Sequence, residues 1–281
     1  MSSILTNNGA MVALQTLKSV NDELNDTQTS ISTGKEIGTA KDNSAVWAIS
    51  KTMESDIAGF EAIEEGLAIG EATVAVASAG AEQIVEKLTE IKELIVSAQS
   101  ENVDHATIQT DIDSKVEQVE AIISAAQFNG ANLLKDTVDG TESSLGVLAS
   151  LDRVGAGGTV TAVEISIDAV GFESSLDLAS DLTSITDTDT AASALGEIEE
   201  FLQTAITGAA ALGADAARLE DQSKFVSELV DAMSLGVSTM TDTNMEEASA
   251  RLSALQTQQD LAIQSLTIAN EAPSSLQQLF R

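Results

Sequence analysis

The sequence of 281 residues contains no cysteine, no tyrosine, one tryptophan and one proline. Without cysteine the chain can form neither disulfides nor a thiolate metal site, and it has no thiol nucleophile. A single proline leaves long helices almost uninterrupted. Aromatic residues make up 2% of the chain, although hydrophobic residues make up 43%. The apolar side chains are therefore mostly Ala, Val, Ile and Leu, which suit narrow seams between helices better than a thick globular core.

Basic residues are also scarce, with 13 Lys and Arg against 45 Asp and Glu and a net charge of −32. This balance excludes a nucleic acid or an anionic membrane as a partner of a basic face. Counted along the sequence, the ends 1–45 and 246–281 each carry −2, whereas 46–136, 137–193 and 194–245 carry −12, −9 and −7. We expect the nearly neutral ends to be buried against other chains and the acidic middle to face water.

Long hydrophobic runs are absent as well. No stretch of about 20 residues is apolar enough to cross a membrane, so we predict no membrane insertion. The first residues, MSSILTNNGAMVALQTLK, lack the basic leader and the continuous apolar core of a secretory signal peptide. If the protein is exported, we expect another signal to direct it.

The dominant positive feature is a heptad repeat. From Phe60 to Ala98, apolar residues or glycine recur at alternating spacings of three and four, which predicts one long helix over residues 44–99. A second apolar run starts near Ala106 and ends before Asn129-Gly130, a dipeptide typical of turns. Both runs present a single apolar face to a partner helix.

The same spacing recurs in the second half of the chain. It runs from Leu195 to Met240 with Ser223 as its one polar member. A seven-residue period of this length is typical of supercoiled helices. We therefore predict three long helices that lie side by side as a bundle.

The two ends carry quieter ladders of the same kind. Asn21 and Gln28 are polar rungs of the N-terminal ladder, and Gln259 is a polar rung of the C-terminal one. The C-terminal segment is also apolar off its ladder, so we expect both ends to be buried on more than one side. We predict that the apolar rungs pair across the two ends: Leu14, Leu17, Leu24 and Ile31 with Leu252, Leu255, Leu266 and Ala269.

Residues 137–185 differ from the rest because they are rich in Gly, Ser, Thr and Asp. Within them, VTAVEISID alternates apolar and polar residues and predicts a small β element with hairpins. Gly155–Gly158 is predicted to be a flexible turn. It is not a nucleotide-binding loop, because no Walker lysine or Rossmann spacing accompanies it.

The sequence offers no convincing active site. His105 is the only histidine, and we interpret it as a solvated loop residue, because one histidine without cysteine cannot build a common zinc site. Adjacent acidic residues such as Glu199 and Glu200 point apart on a helix and cannot form an acid–base pair. Trp47 is expected to pack against a neighbouring helix. We therefore predict no enzymatic activity, no cofactor and no metal site.

Several motifs resemble those of bacterial flagellins. ISTGKEIGTAKDNSA at 31–45 is similar to the N-terminal signature of that family, and FNGANLL at 128–134 is similar to its FNGxxLL segment. DTNMEEASARL at 242–252 and the final LFR resemble its closing helix. KDNSAVWAIS and LFR also resemble the short flagellins of alphaproteobacteria. The resemblance covers roughly residues 1–136 and 190–281.

The resemblance implies a mainly α fold, a long antiparallel helical bundle with a terminal coiled coil and a small β-rich outer segment. It implies three domains: 1–43 with 245–281 as the coiled-coil core, 44–136 with 190–244 as a helical rod, and 137–189 as a variable outer segment. The expected assembly interface consists of apolar residues at both ends together with the tryptophan: Leu14, Leu17, Leu24, Ile31, Trp47, Leu252, Leu255, Leu266 and Ala269.

The function implied is that of a structural subunit that polymerises with itself into the flagellar filament for swimming. Family members are exported unfolded by the flagellar type III apparatus, so a secreted, extracellular protein is expected. The implied partners are an export chaperone, the filament cap and the hook-junction proteins. The terminal helices of the free monomer are expected to be disordered until partners cover them.

The family also has a stretch on its second helix that a vertebrate Toll-like receptor recognises, with an RxRELAxQ-like pattern. Glu90-Ile-Lys-Glu-Leu-Ile-Val96 aligns with it, with Glu90 where arginine is usual and with Glu93 and Leu94 matching the pattern. This reversal of charge predicts weak or absent receptor activation.

Three alternative functions share features with this sequence. A hook–filament junction protein shares the terminal helices but usually carries a larger central insert, and a coiled-coil surface scaffold would have no flagellar role. A flagellin with a metalloprotease insert is excluded in its usual form, because residues 137–189 are few and contain no histidine.

Overall fold

The computed structural model describes residues 7–153 and 158–279, and it describes side chains as far as residue 271. Most of the predicted turn at 155–158 and the last two residues of the final LFR motif lie outside the described residues. The fold is mainly α, as predicted, with one two-stranded antiparallel sheet. In chain order the elements are α1 (Asn8–Thr33), α2 (Ser44–Ala98), α3 (His105–Ala125), β1 (Ser144–Arg153), β2 (Val160–Asp168), α4 (Phe172–Ser175), α5 (Leu178–Asp181), α6 (Thr188–Thr241) and α7 (Met245–Leu279).

The chain divides into two compact units. The first is drawn from Met1–Asp56 and Ala232–Arg281, and the second is Ile57–Asp231. Counted from the sequence, the second unit carries a net charge of −26 and the first −6. Almost all of the acidic excess therefore belongs to one unit.

In the second unit, the ladder predicted on α2 is buried at every position. Phe60 retains 7% of its exposure, and Leu67, Leu88 and Ile95 retain none. The helix ends at Ala98, one residue before the predicted end. The apolar period therefore identified both the helix and its buried face.

Helix α3 begins at His105 and is capped by Asp104, whose carboxylate accepts hydrogen bonds from the amides of Ala106 and Thr107. The interpretation of His105 as a solvated loop residue is wrong. Its ring is half-buried, and its Nε2 lies 2.9 Å from the carbonyl oxygen of Ala98 at the end of α2. The histidine is thus the hydrogen-bond partner of one of the carbonyl groups that the end of a helix leaves unpaired.

Helix α6 contains the third predicted ladder. The rungs of this ladder form two rows of residues, each with a spacing of seven, and only one of the two rows is fully buried. Side chains seven residues apart have no exposed surface, and the rungs between them are half-buried. The buried row consists of Ile198, Ala205, Leu212, Leu219 and Val226. Lys92 on α2 reaches Glu199 at 2.5 Å, so an ion pair joins the two long helices beside this row.

The predicted β element is a hairpin that packs on the long helices. VTAVEISID forms β2, which pairs with β1 from Ser144↔Asp168 to Arg153↔Val160, with a bulge between Leu148 and Ser150. At the bulge, Gln222 Nε2 on α6 donates a hydrogen bond of 2.8 Å to the carbonyl of Ala149. This side-chain donor satisfies a carbonyl that the bulge removes from regular pairing.

Glycines let the hairpin and the segment after it approach the helices closely. A Cβ placed on Gly70 of α2 would lie 2.8 Å from a methyl group of Val147 on β1. A Cβ on Gly208 of α6 would clash with Val170 and would lie 2.6 Å from the ring of Phe172. Larger residues at these two helix positions would push the outer segment away.

The Asn-Gly turn predicted after α3 is present. Asn129 and Gly130 have φ values of 49° and 88°, and the amide of Ala131 donates to the carbonyl of Phe128 at 3.0 Å. The buried Asn132 then holds the chain, because its amide donates 2.7 Å to the carbonyl of Ile123. The FNGANLL motif is therefore a local structure that turns the chain back from α3.

Candidate assembly surface of the terminal helices

In the first unit, helices α1 and α7 run antiparallel and contact each other along most of α1. Near one end, Asn7 Nδ2 donates 2.6 Å to the carbonyl of Ala269. In the middle, Gln259 Nε2 donates 2.6 Å to Asn21 Oδ1. These contacts show that the first and last helices of the chain pair with each other, as the ladders predicted.

The centre of the seam is a small apolar cluster. Val20, Leu24 and Leu255 are between 4% and 8% exposed, and Leu252 packs against them. Complete burial of a residue of this size contributes about 1.5–3 kcal/mol. Three such residues stabilise a helix pair only modestly against the entropy of ordering two long segments.

The residues predicted for the seam occupy three environments. Leu24 and Leu255 are buried, and the half-buried members of the set are Leu17, Ile31, Leu252, Leu266 and Ala269. Leu14 is 58% exposed, so its predicted pairing with α7 inside the chain is wrong. At that level the half-buried Ala13 takes the seam position. The buried Val20, Leu24 and Thr27 place the seam of α1 at positions 13, 17, 20, 24, 27 and 31, so Leu14, one residue beyond the seam position, points away from α7.

A short clasp joins the ends of the pair that are nearest to α2 and α6. Residues 34–37 and 241–243 form it through three backbone hydrogen bonds: Glu36 N to Thr241 O, Ile37 N to Thr241 O and Thr243 N to Gly34 O, at 2.7, 3.3 and 2.9 Å. Gly34 has a φ of 72°, a left-handed conformation that glycine adopts without strain. The ISTGK motif thus ends α1 and turns the chain towards α2.

The start of α2 belongs to the same unit. Asp42 accepts hydrogen bonds from Thr39 and Gly38, and those from Thr39 hold the pKa of its carboxyl below the ordinary value. Trp47 lies in the first turns of α2 and is half-buried. Its side chain therefore keeps a surface that another molecule can contact.

The outer side of the terminal pair, by which we mean its whole surface outside the seam, is unusually apolar. The exposed large residues are Met11 at 66%, Val12 at 64% and Leu14 at 58% on α1, and Leu261 at 56%, Ile263 at 48% and Ile268 at 69% on α7. Along this part of the pair, residues 7–21 and 252–270 contain only two charged residues, Lys18 and Asp260. Scattered exposed apolar residues are ordinary, but a concentration of this kind marks an interaction surface.

A groove of about 450 Å³ runs along this side of the pair. Its walls are small or apolar residues of both helices: Gly9, Val12, Ala13, Thr16 and Val20 from α1, and Gln258, Leu261, Ala262 and Ser265 from α7. Because the wall residues are small and uncharged, the groove fits apolar side chains of another helix better than a polar ligand.

The stretch from Glu90 to Val96, which aligns with the receptor-recognition pattern, lies in the second unit and makes contacts within the chain. Glu90 is half-buried and accepts hydrogen bonds from Lys115 on α3 at 2.5 Å and from Lys87 at 2.9 Å. These two lysines, Lys115 first, lower the pKa of its carboxyl. Glu93 is exposed and Leu94 is half-buried.

Within the part of the chain that the structure describes, no cluster of three or more His, Asp or Glu residues is arranged to hold a metal ion. Across the same residues, none of the helices combines the length and apolarity needed to cross a membrane.

Long helices with seven-residue seams, and a terminal pair whose outer side stays apolar, are typical of structural proteins that assemble through their helices. The family model of the bacterial flagellin N-terminal helical region matches residues 4–139, and that of the C-terminal helical region matches residues 195–280. The chain belongs to the bacterial flagellin family, and it is a structural subunit of the flagellar filament.

Relatives match over the whole length. The chain is 39% identical to a flagellin of Brucella melitensis over 285 residues, which covers 100% of both chains. It is 37% identical to flagellin FljK of Caulobacter vibrioides, over 100% of this chain and 99% of the relative. A solved flagellin structure from Bacillus cereus is 15% identical in sequence and has a TM-score of 0.48. The match covers 57% of this chain and 88% of the Bacillus chain. The predicted resemblance to alphaproteobacterial flagellins is confirmed.

Proposed function

We propose that the outer side of the α1–α7 pair is the surface through which copies of this chain polymerise. The observation that carries the proposal is the apolar groove between the two helices, flanked by Val12 and Leu261, in a stretch with only two charged residues. A second copy supplies the matching occupant, because its own terminal helices carry exposed apolar residues of the same kind.

The energetic argument is one of coupled folding and assembly. The intrachain seam buries few large side chains, so the pair alone gains little against the entropy of ordering two long helices. Neighbouring copies that cover Met11, Val12 and Leu261 add the missing burial, at about 25 cal/mol for each Å² removed from water. Folding of the ends and growth of the filament then become one process.

The test is a charge placed in the groove. Leu261→Asp, at an exposed groove position, is expected to abolish polymerisation of the purified protein while leaving its helix content almost unchanged. Ser249→Asp adds the same charge at an exposed position of α7 that is not part of the groove wall, and it is expected to polymerise normally. Long filaments of the Leu261 variant in electron micrographs would overturn the proposal.

We further propose that Trp47 and the half-buried seam residues take part in contacts between subunits. The three-part division of the chain, with 1–43 and 245–281 as a core, 44–136 and 190–244 as a rod and 137–189 as an outer segment, is part of the same proposal. The acidic excess of the second unit supports it, since like charges favour contact with water over contact with other copies.

The cellular setting is proposed on the basis of the family. We infer that the protein is secreted and extracellular, that an export chaperone, the filament cap and hook-junction proteins are its partners, and that it has no catalytic role. Co-purification of the monomer with its chaperone, and detection of the protein in sheared filaments, would test the first two parts.

We also propose weak recognition by the vertebrate receptor. In addition to the reversed charge at Glu90, the side chain is held by Lys87 and Lys115 and is not free to meet a receptor group. A reporter-cell assay is expected to give little response, and a full response at ordinary concentrations would contradict the proposal.

A further inference from the structure

We infer that the hydrogen bond between Asn21 and Gln259 sets the register of the terminal helix pair. This inference rests on the proposed assembly role of the pair and specifies how the two helices find one alignment. The bond joins Gln259 Nε2 to Asn21 Oδ1 at 2.6 Å, with both side chains half-buried. It lies within the seam, beside the buried Val20.

The apolar residues of the seam do not define a register by themselves. Leu17, Leu24 and Ile31 recur every seven residues on α1, and Leu252 and Leu266 flank Gln259 at the same spacing on α7. A slide of one helix by one heptad, about 10 Å along the axis, would therefore still place a large apolar residue of α1 against Leu255, although Leu24 would then meet an alanine of α7. Two polar rungs break this equivalence, because each must find a hydrogen-bonding partner.

Both possible slides leave the polar rungs badly matched. In one direction Asn21 would face Leu252, and Gln259 would face the level of Leu14. In the other direction Asn21 would face Leu266, although Gln259 would then meet Gln28. A half-buried amide without a partner costs more than a neutral hydrogen bond returns, so the observed alignment is favoured over both.

Charge supplies little of the missing information, because Arg251, the one basic residue of 245–270, pairs with Glu247 of its own helix. In residues 7–21 and 252–270 the only charged side chains are Lys18 and Asp260, and both are exposed. The other feature able to fix the register of α1 against α7 is the clasp, which holds the far end of the pair by three backbone hydrogen bonds. The experiment must therefore separate the effect of the polar pair from that of the clasp.

The absence of cysteine makes a direct reading of the register possible. A Cβ on Gly9 would lie 3.8 Å from the Cβ of Ala269, which is the mean separation across a disulfide. Gly9→Cys with Ala269→Cys therefore reports the observed register in assembled filaments. Gly9→Cys with Ala262→Cys reports the slide by one heptad.

In filaments of otherwise unchanged protein, we expect intrachain cross-linking of the 9–269 pair and only background for the 9–262 pair. Asn21→Leu with Gln259→Leu is expected to raise 9–262 cross-linking well above background while filaments still form. The exchanged pair, Asn21→Gln with Gln259→Asn, keeps a donor and an acceptor and is expected to restore the original pattern. Asn25→Leu with Gln256→Leu makes the same chemical change at exposed positions and is expected to have no effect.

A further variant tests whether moving the asparagine along α1 shifts the register of the helix pair. Leu14→Asn with Asn21→Leu shifts the partner of Gln259 by one heptad and is expected to increase the 9–262 product at the expense of the 9–269 product. Exclusive 9–269 cross-linking in both this variant and the double-leucine variant would show that the clasp is sufficient and would overturn the inference. The proposed function is tested separately by micrographs of Leu261→Asp, so long filaments of that variant would count against the proposed function and leave the cross-linking readout of the register unaffected.

Discussion

The two units of the chain use the same heptad pattern but close their seams to different degrees. In the second unit, Leu67, Leu88 and Leu212 have no exposed surface. In the first unit, no described residue of the α1–α7 seam falls below 4% exposure, and large apolar residues remain outside it. The second unit thus closes its seams within one chain, although Ile69, Val96 and Phe225 stay exposed outside them, whereas the seam of the first unit closes less completely.

Charge follows the same division. The second unit carries −26 and the first −6, although the first still contains more than a third of the residues. Packing copies of the first unit together costs little electrostatic repulsion, and the acidic second unit resists such packing. The distribution of burial and the distribution of charge therefore assign the same roles to the two units.

The largest expected effect comes from removing the ends of the chain. Deletion of residues 1–40 and 245–281 is expected to abolish polymerisation completely, because both helices of the apolar groove are lost. The product is expected to be a soluble monomer that keeps most of its helix, measured by gel filtration and circular dichroism. Filaments formed by this shortened protein would show that polymerisation does not need the terminal helices of the first unit.

A second pair of variants places the same charge in each seam. Leu255→Asp is expected to block assembly and leave the second unit folded, because the lost packing and the buried charge cost about 3–5 kcal/mol in the first unit alone. Leu212→Asp, at a position with no exposure, is expected to unfold the second unit at physiological temperature. Thermal melts of both monomers, together with motility of the cells that carry them, provide the measurement.

A third pair concerns two glycines of α6. Gly208→Ala is expected to destabilise the second unit by about 1–3 kcal/mol, because its Cβ would meet Val170 and Phe172. Gly213→Ala meets no atom within 4 Å and is expected to stabilise the helix by up to about 1 kcal/mol. Chemical denaturation would measure the change in the free energy of unfolding for both variants. If the two variants changed it in the same direction, the close approach at Gly208 would be contradicted.

The smallest expected effect is on the pH dependence of the second unit. The pKa of Glu90 is lowered from 4.5 by Lys115 and Lys87, so the carboxylate stabilises the fold above that value and the contribution disappears as pH falls through the folded-state pKa. Glu90→Gln is expected to reduce the loss of melting temperature on acidification slightly. Because the group is solvent-accessible, an effect as large as that of Gly208→Ala would be inconsistent with this explanation.

Sequence reasoning was most accurate where one period controls both structure and burial. On α2 the spacing from Phe60 to Ala98 predicted the helix to within one residue and its buried face completely. On α1 the same reasoning chose a ladder through Leu14, Asn21 and Gln28, whereas the seam runs one residue earlier, through Ala13, Val20 and Thr27. Both ladders share Leu17, Leu24 and Ile31, so the spacing alone left the phase of the remaining rungs open.

Contacts between distant segments were not predictable from local pattern. The alternation of VTAVEISID indicated strand β2, but nothing near Gly70 or Gly208 in sequence indicates that Val147 or Phe172 packs on them. The Asn21–Gln259 bond was missed for a similar reason. Polar rungs were visible in both ladders, yet their pairing depends on an alignment that two repetitive sequences leave open.

Trp47 has one more consequence, a spectroscopic one. It is the only tryptophan, and the chain has no tyrosine, so selective excitation of indole reports one position at the start of α2. Since the side chain is half-buried in the single chain, contact with a neighbouring subunit would remove its remaining water and shift its emission to shorter wavelength. The unmodified protein thus contains its own optical probe, by which the growth of a filament can be followed in real time without any label.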